Sequence, residues 1–376
     1  MKYYIIAGEA SGDLHGANLM KSIYKEDQEA EIRFWGGDLM QAEGGTLVTH
    51  YKERAFMGFI EVILNLFKVL GFIKSCKKDI SQFQPDTLIF IDNSGFNLRI
   101  AKWAKAQNYK TNYYISPQVW ASRSSRVKDI KRDVDKLFVI LPFEKEFYQK
   151  QGYEVEFVGH PLIDAIADRK QVDETTFRKK HNLSNKPIIA LLPGSRKQEI
   201  TKMLSVMLSL RDDFTDFEFV IAGAPSQDFP FYQQIIGDHE VGFVNNKTYD
   251  LLSVSYAALV GSGTATLEAA LFKVPQVVCY KGSAISYQIA KRIITLKFIS
   301  LVNLIMDKEV VKELIQNDFT KKNLKVALTK ILDPTHREKL FTSYFELETI
   351  LGGKGASLKV AKHIVADLKT TSKDFK

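Results

Sequence analysis

The chain has 376 residues, 45% of them hydrophobic and 26% charged. That length calls for two domains with real cores, and the balance excludes a disordered or fibrous chain. Cys76 and Cys279 are the two cysteines, which excludes a disulfide framework and a paired-cysteine zinc site and suits a reducing compartment.

The first run, YYIIAG at residues 3–8, reads as a strand ending in a turn. It is too short for the apolar region of a signal peptide. Ser11–Gly12–Asp13 then opens a helix near Leu14, and EIRFWGG is a second strand. The most apolar window runs from Phe56 to Cys76, but Glu61, Asn65, Lys68 and Lys74 interrupt it, against a transmembrane helix. Two readings of this window stay open: a buried amphipathic helix, or one that meets acyl chains or a bilayer surface. Further strands are DTLIFID (86–92), TNYYIS (111–116), KLFVILP (136–142) and EVEFVGHP (154–161). Polar residues 165–187 read as a linker. The pattern then restarts with PIIALLPGS, FEFVIAG, AALVGSG and QVVCYKG, and from Asp333 onward it is helical. Strands alternating with helices predict an α/β protein with parallel sheets, whose functional residues lie at the carboxyl ends of the strands.

Five strand-end segments could hold chemistry. Leu192–Pro193–Gly194–Ser195–Arg196 turns from a strand into a helix. Gly194 would let backbone approach an anion, Arg196 could fork onto a phosphate, and Ser195 could instead simply cap the helix. Gly261–Ser262–Gly263–Thr264 leads into ATLEAAL, where free N–H groups at a helix start could meet a diphosphate and Glu268 could reach a ribose. Neither a Walker motif nor GxGxxG is present. Ala7–Gly8–Glu9–Ala10–Ser11–Gly12–Asp13–Leu14–His15 supplies a glycine turn with two acids; a cap by Ser11 or Asp13 and a solvated His15 are the plain alternatives. Asp92 ends a buried-looking strand, where partial desolvation would make it a competent base, or an Asx-turn cap. Ser116–Pro117–Gln118–Val119–Trp120 suggests an exposed aromatic wall. The net charge of +8 favours anionic partners of some kind, and no nucleic-acid motif accompanies it. Asp133–Val134–Asp135 matches the DxD by which many sugar transferases hold a metal, but it precedes its strand, so no metal is assigned.

Taken in order, AGEASGDLHGA, MGFIEVI, PDTLIFID, SPQVWASR, LPFEKEFY, VGHPL, LLPGSRKQEI, GSGTATLEAAL and SLVNLI resemble the lipid-A-disaccharide synthase family of bacterial glycosyltransferases, over nearly the whole chain. The resemblance implies the GT-B architecture: two Rossmann-like domains facing across a cleft, with C-terminal helices crossing back to the first. Residues 1–165, completed by 345–376, would bind the acceptor, and 166–344 the UDP-sugar donor. It implies an inverting, metal-independent transfer of 2,3-diacylglucosamine from UDP to the 6-hydroxyl of 2,3-diacylglucosamine 1-phosphate, without a cofactor. The enzyme would sit peripherally on the cytoplasmic membrane face and bind no nucleic acid; its oligomeric state is left open. By the resemblance Asp92 would be the base. Gly194, Ser195, Arg196, Ser262, Gly263, Thr264, Glu268 and Asn303 would bind the donor. Glu9, Ser11, Gly12, Asp13, Gln118 and Trp120 would lie on the acceptor side. Two departures stand out. The family's D-A-P-D-F-N is Asp92–Asn93–Ser94–Gly95–Phe96–Asn97 here, without the second acid, and its W-A-W-R is Trp120–Ala121–Ser122–Arg123, with one aromatic fewer. The rival readings are another enzyme of this architecture, such as a UDP-sugar 2-epimerase, and a basic membrane or nucleic-acid binder without catalysis.

Overall fold

The computed structural model describes residues 1–54, 66–121, 124–282 and 297–373. It divides into two compact units, Met1–Ala165 with Leu351–Lys376, and Ile166–Ile350. The first unit is therefore discontinuous in sequence. The segment that completes it starts at Leu351 rather than at 345, because the helix Pro334–Ile350 stays with the second unit.

The first unit is built on a parallel sheet of seven strands in the order β3-β2-β1-β4-β5-β6-β7. The strands are β1 (Lys2–Ala7), β2 (Glu31–Gly36), β3 (Thr46–His50), β4 (Thr87–Ile91), β5 (Lys110–Tyr114), β6 (Lys136–Val139) and β7 (Glu156–Phe157). β1 and β4 are central and almost wholly buried, as their unbroken apolar runs require of strands covered on both faces. One face packs Tyr4, Ile6, Trp35, Leu88, Phe90 and Tyr113 against the helices Leu66–Phe83 and Ser94–Ala106. On the other, Tyr3, Ile5, Ile89 and Phe138 meet the helix Ala10–Glu26 and the last helix, Ala356–Lys373. That last helix inserts Val360, Ala361, Ile364 and Val365 beside Ala17, Met20 and Ile23, so residues from the two ends of the chain share one core.

The second unit holds a parallel six-stranded sheet in the order β10-β9-β8-β11-β12-β13. Its strands are β8 (Ile188–Leu192), β9 (Glu218–Gly223), β10 (Gly242–Asn245), β11 (Ser255–Gly261), β12 (Gln276–Tyr280) and β13 (Lys312–Ile315). In both sheets the order reverses beside the first strand of the unit, the doubly wound pattern that opens a crevice at the carboxyl ends of the central strands. Residues 165–187 are not a bare linker. They contain a helix, Glu174–Lys180, capped by the Asp173 carboxylate on the Thr176 N–H and pinned to the core by buried Phe177.

Residues 56–65, the first part of the apolar window, lie outside the described residues, as do Ser122 and Arg123. From Leu66 the chain is helical, with Val69, Ile73, Cys76 and Ile80 facing the core while Leu70 and Lys74 face water. Among the described residues no helix is long and apolar enough to cross a membrane.

Candidate functional site

In the first unit the pairing of Ala7 with Ile91 fixes everything that follows. It makes β1 and β4 end side by side, so Gly8–Glu9 and Asp92–Asn93 leave the sheet as neighbouring turns. Asp92 and Asn93 both adopt positive φ, 47° and 45°. Two successive non-glycine residues in that region are strained, although Asp and Asn tolerate it best. The strain is held from below. The Asn97 amide donates to the carbonyls of Ile6 (3.3 Å), Ile91 (3.2 Å) and Asp92 (2.9 Å), and the Tyr113 hydroxyl donates to the same Asp92 carbonyl. Gly8 makes room from the side: a Cβ there would lie 2.0 Å from the Asn93 amide nitrogen.

These contacts leave the Asp92 side chain half-buried at the end of its strand. Burial raises its pKa, and the negative charge of Glu9 raises it further, against a backbone N–H of Asn93 that favours the ionised form. Asp92 is thus a carboxylate made more basic than an ordinary aspartate. Glu9 is exposed at the start of the helix Ala10–Glu26 and makes no side-chain cap. Ser11, also exposed, lies within the first turn and is not the cap. Gly12 is buried where a Cβ would meet Ala7 at 3.3 Å.

Asp13 has a different job from the one expected of it. Its carboxylate is buried and accepts from the backbone N–H groups of Gly37 (2.7 Å), Leu39 (3.0 Å) and Met40 (3.1 Å). It caps the neighbouring helix Asp38–Ala42 rather than its own, and that leaves it little to offer a substrate. His15 is not solvated either. Burial lowers its pKa to about 4, and that of nearby His160 falls to about 3 for the same reason, so both stay neutral. Gln118 is exposed, whereas Trp120 is half-buried, edge-on to Phe143 at 4.8 Å, and not an open aromatic wall.

In the second unit β8 and β11 are neighbours, with Leu192 paired to Val260. Their turns, Pro193–Arg196 and Gly261–Thr264, therefore touch: a Cβ on Gly261 would lie 3.2 Å from the Leu192 carbonyl and 3.3 Å from the Gly194 nitrogen. Each turn opens a helix, Lys197–Leu208 and Thr264–Leu271, and neither helix has a side-chain cap. Ser195 does not cap. Its carbonyl is instead held by the Ser226 hydroxyl at 2.7 Å. Among the described residues nothing accepts from the N–H groups of Gly263, Thr264 and Ala265. Two uncapped helix starts side by side concentrate positive potential on the exposed residues Gly194, Ser195, Gly263 and Thr264, with Ser262 half-buried beside them. Arg196 is 82% exposed there, resting on Glu199 at 3.2 Å.

Glu268 lies one turn further in. Burial raises its pKa, and the Tyr249 hydroxyl donates to one of its oxygens at 3.1 Å. Asn303 proves to be a clamp. Its amide donates to the Val311 carbonyl (2.8 Å) and to Glu313 (2.9 Å), and its oxygen accepts from the Val310 and Val311 N–H groups. With its side chain buried and each polar atom engaged, Asn303 shapes the neighbourhood of the turn instead of offering a free contact. Thr266 links the two: its hydroxyl donates to Gly263 and accepts from the Leu301 N–H.

The DxD pair is spent on internal bonds. Asp133 pairs with Arg132, and Asp135 accepts from the Thr111 N–H and pairs with Lys105, at the amino end of β6. Among the described residues no group of three or more His, Cys, Asp or Glu side chains could hold a metal ion.

Two doubly wound parallel sheets, one with paired anion-ready turns and one with a basic carboxylate at a strand end, define a nucleotide-sugar enzyme of the GT-B type. Solved structures agree on the fold. A UDP complex of MnaA from S. aureus superposes with a TM-score of 0.71, covering 98% of this chain and 97% of that one at 16% identity. The UDP-GlcNAc 2-epimerase from Neisseria meningitidis does so with 0.68, covering 98% and 100% at 14% identity. Sequence is more specific. The family described as lipid-A-disaccharide synthetase matches residues 3–357. A lipid-A-disaccharide synthase of Geobacter metallireducens is 38% identical over 95% of this chain and 94% of its own length. One of Coxiella burnetii is 34% identical over 96% of each. The chain belongs to the lipid-A-disaccharide synthetase family and is a glycosyltransferase.

Proposed function

We propose that this protein transfers 2,3-diacylglucosamine from UDP to the 6-hydroxyl of 2,3-diacylglucosamine 1-phosphate, giving the β-1′,6-linked tetraacyl disaccharide 1-phosphate and UDP. The observation that carries the reading is the family match across residues 3–357, whose strand-end motifs fall on the turns described above. The second unit is the donor-binding one. Its uncapped helix starts and Arg196 meet the diphosphate, and charge developing on the departing UDP strengthens those contacts in the transition state. Glu268 holds ribose hydroxyls through the oxygen that Tyr249 leaves free. The first unit binds the acceptor. Asp92 takes the proton of the 6-hydroxyl as that oxygen attacks the anomeric carbon, the bond to UDP breaks on the opposite face, and the configuration inverts. The strained turn aims the carboxylate, and its raised pKa suits it to accept a proton from an alcohol.

Peripheral attachment to the cytoplasmic membrane face belongs to the same reading. It is supported by the +8 charge and by exposed Leu70 among Lys68, Lys74 and Lys78 on the helix Leu66–Phe83. The test is incubation with the diacylated UDP-sugar, with and without the acceptor. Acceptor-dependent UDP release together with the disaccharide product supports the reading. UDP release indifferent to the acceptor, or epimerisation of the donor alone, would defeat it.

A further inference from the structure

The segment Ser116–Trp120 is entered through a strained residue. Ile115 has φ of 63°, a region costly for any L-residue and most of all for a β-branched one. Such a residue persists only where its surroundings over-determine it. The Ile115 N–H is bonded to the Phe138 carbonyl at 3.2 Å, and the buried Ser116 hydroxyl lies 2.6 Å from that of Tyr148. Beside them sits a carboxyl group that the proposed chemistry leaves unused. Glu144 is 1% exposed, and one of its oxygens accepts from the N–H groups of Ile140 (3.2 Å) and Leu141 (2.9 Å). The Ser116 hydroxyl and the Trp120 indole both stand close enough to favour its ionised form. The indole nitrogen is itself buried and completes no hydrogen bond, its ring being braced by Phe143, the residue before Glu144.

We propose that Glu144 is a positioning residue, whose carboxylate draws in the Ser116 hydroxyl and the Trp120 N–H and so fixes the angle at which Gln118 and the Trp120 ring meet the acceptor. This rests on the reading that the segment Ser116–Trp120 lies on the acceptor side. The chemistry sets the sign: an ionised carboxylate accepts the indole N–H as a charge-assisted bond, whereas protonation removes that charge, turns one oxygen to donating its own proton and weakens the hold on the indole. Burial pushes the carboxyl of Glu144 up to about 7, against the pull of the Leu141 and Ile140 N–H groups, so the tether forms and loosens near neutrality. The titratable neighbour facing it is Tyr148, which burial keeps protonated throughout.

Nitrogen NMR of the three tryptophan indoles tests this, with the Trp120 signal assigned by Trp120→Phe. In the wild type the Trp120 signal should shift with a midpoint near 7 while those of Trp35 and Trp103 stay still, and in Glu144→Gln it should not titrate. At pH 8 the same variant should show KM for the acceptor raised about fivefold, with kcat and donor KM within about twofold of wild type. A Trp120 signal flat from about pH 5 to 9, or moving identically in Glu144→Gln, would overturn the tether. Wild-type acceptor KM in a folded Glu144→Gln would overturn its use in binding. Should that variant not fold, the wild-type titration decides, with Glu144→Asp supplying the kinetics. A wild type that turns over no diacylated pair sinks the functional reading, and with it the acceptor half of this proposal, while the titration still decides whether Glu144 holds Trp120.

Discussion

Gly8→Ala tests the way the two turns of the first unit are fitted together. The added Cβ would sit 2.0 Å from the Asn93 amide nitrogen, 2.4 Å from its Cγ and 2.7 Å from its Cβ. A new rotamer moves the amide away but leaves the Cβ, which is fixed to the backbone. Relief therefore has to come from the strained Asp92–Asn93 turn itself. Overpacking of this kind costs about 1–3 kcal/mol, and the displaced turn takes the Asp92 carboxylate with it. The assay is a double-mutant cycle with Asn93→Gly, read by thermal unfolding and by turnover. Asn93 makes no side-chain cap and has φ of 45°, so glycine alone should be tolerated there. Gly8→Ala should lose stability and most of its kcat, and the double variant should recover at least about 1 kcal/mol of that stability along with activity. A Gly8→Ala protein within about 0.5 kcal/mol of wild type, or a double variant no better than the single, would refute the fit.

Asp92→Asn should abolish turnover and leave UDP affinity intact, and in the wild type the acid limb of kcat/KM should fall at a pH above the ordinary aspartate range; wild-type-like kcat in the variant removes Asp92 from the base role. Arg196→Ala should weaken UDP binding by about 1.5–3 kcal/mol by calorimetry, the range for a charged hydrogen bond, and unchanged affinity would release Arg196 from the diphosphate. Asn303→Ala should destabilise the second unit by roughly 1–3 kcal/mol, since it strands the Val311 N–H and removes one of the three N–H donors on the Glu313 carboxylate, and a Tm shift near zero would contradict the clamp. Glu144 gives stability a pH dependence. Its folded pKa of about 7 lies above the usual 4.5, so its favourable contribution is complete below 4.5, declines as pH rises to about 7 and is absent above. At about 1.4 kcal/mol per pH unit, wild type should lose roughly 3 kcal/mol relative to Glu144→Gln across that window; parallel denaturation curves for the two would refute it.

The sequence reveals the buried strands far better than the edges. YYIIA, TLIFI and IIALL are unbroken apolar runs because helices cover both their faces. Thr46–His50, Gly242–Asn245 and Lys312–Ile315 are short, partly polar strands outside that pattern, each at a sheet edge, and periodicity passes over all three. Site residues are legible where the motif's backbone does the work, as at Gly194 and Gly263, whose φ values of 97° and 135° demand glycine. They are illegible where function depends on a partner distant in sequence. Nothing near Asp13 says that its carboxylate will cap a helix starting at Asp38, and nothing near Asn303 says that Val310, Val311 and Glu313 will consume its amide. The supports of Asp92 escape for the same reason: Tyr113 is a strand residue, and Asn97 passes for an ordinary helical one.

The shared core of the two chain ends sets a timetable for biosynthesis. When Ala165 leaves the ribosome the first sheet can pair and the helix Ala10–Glu26 can settle on Tyr3 and Ile5, but Phe138 and the side of that helix that meets Val360 and Ile364 lack part of their cover until the helix Ala356–Lys373 is made. At roughly 5–20 residues per second, making Ile166–Ile350 in between takes tens of seconds or less. During that interval an apolar face lies open on a nascent chain, a natural docking surface for a holdase chaperone. A nonsense mutation ahead of the Val360 codon would then do its damage at the opposite end of the polypeptide, by leaving that face uncovered for good.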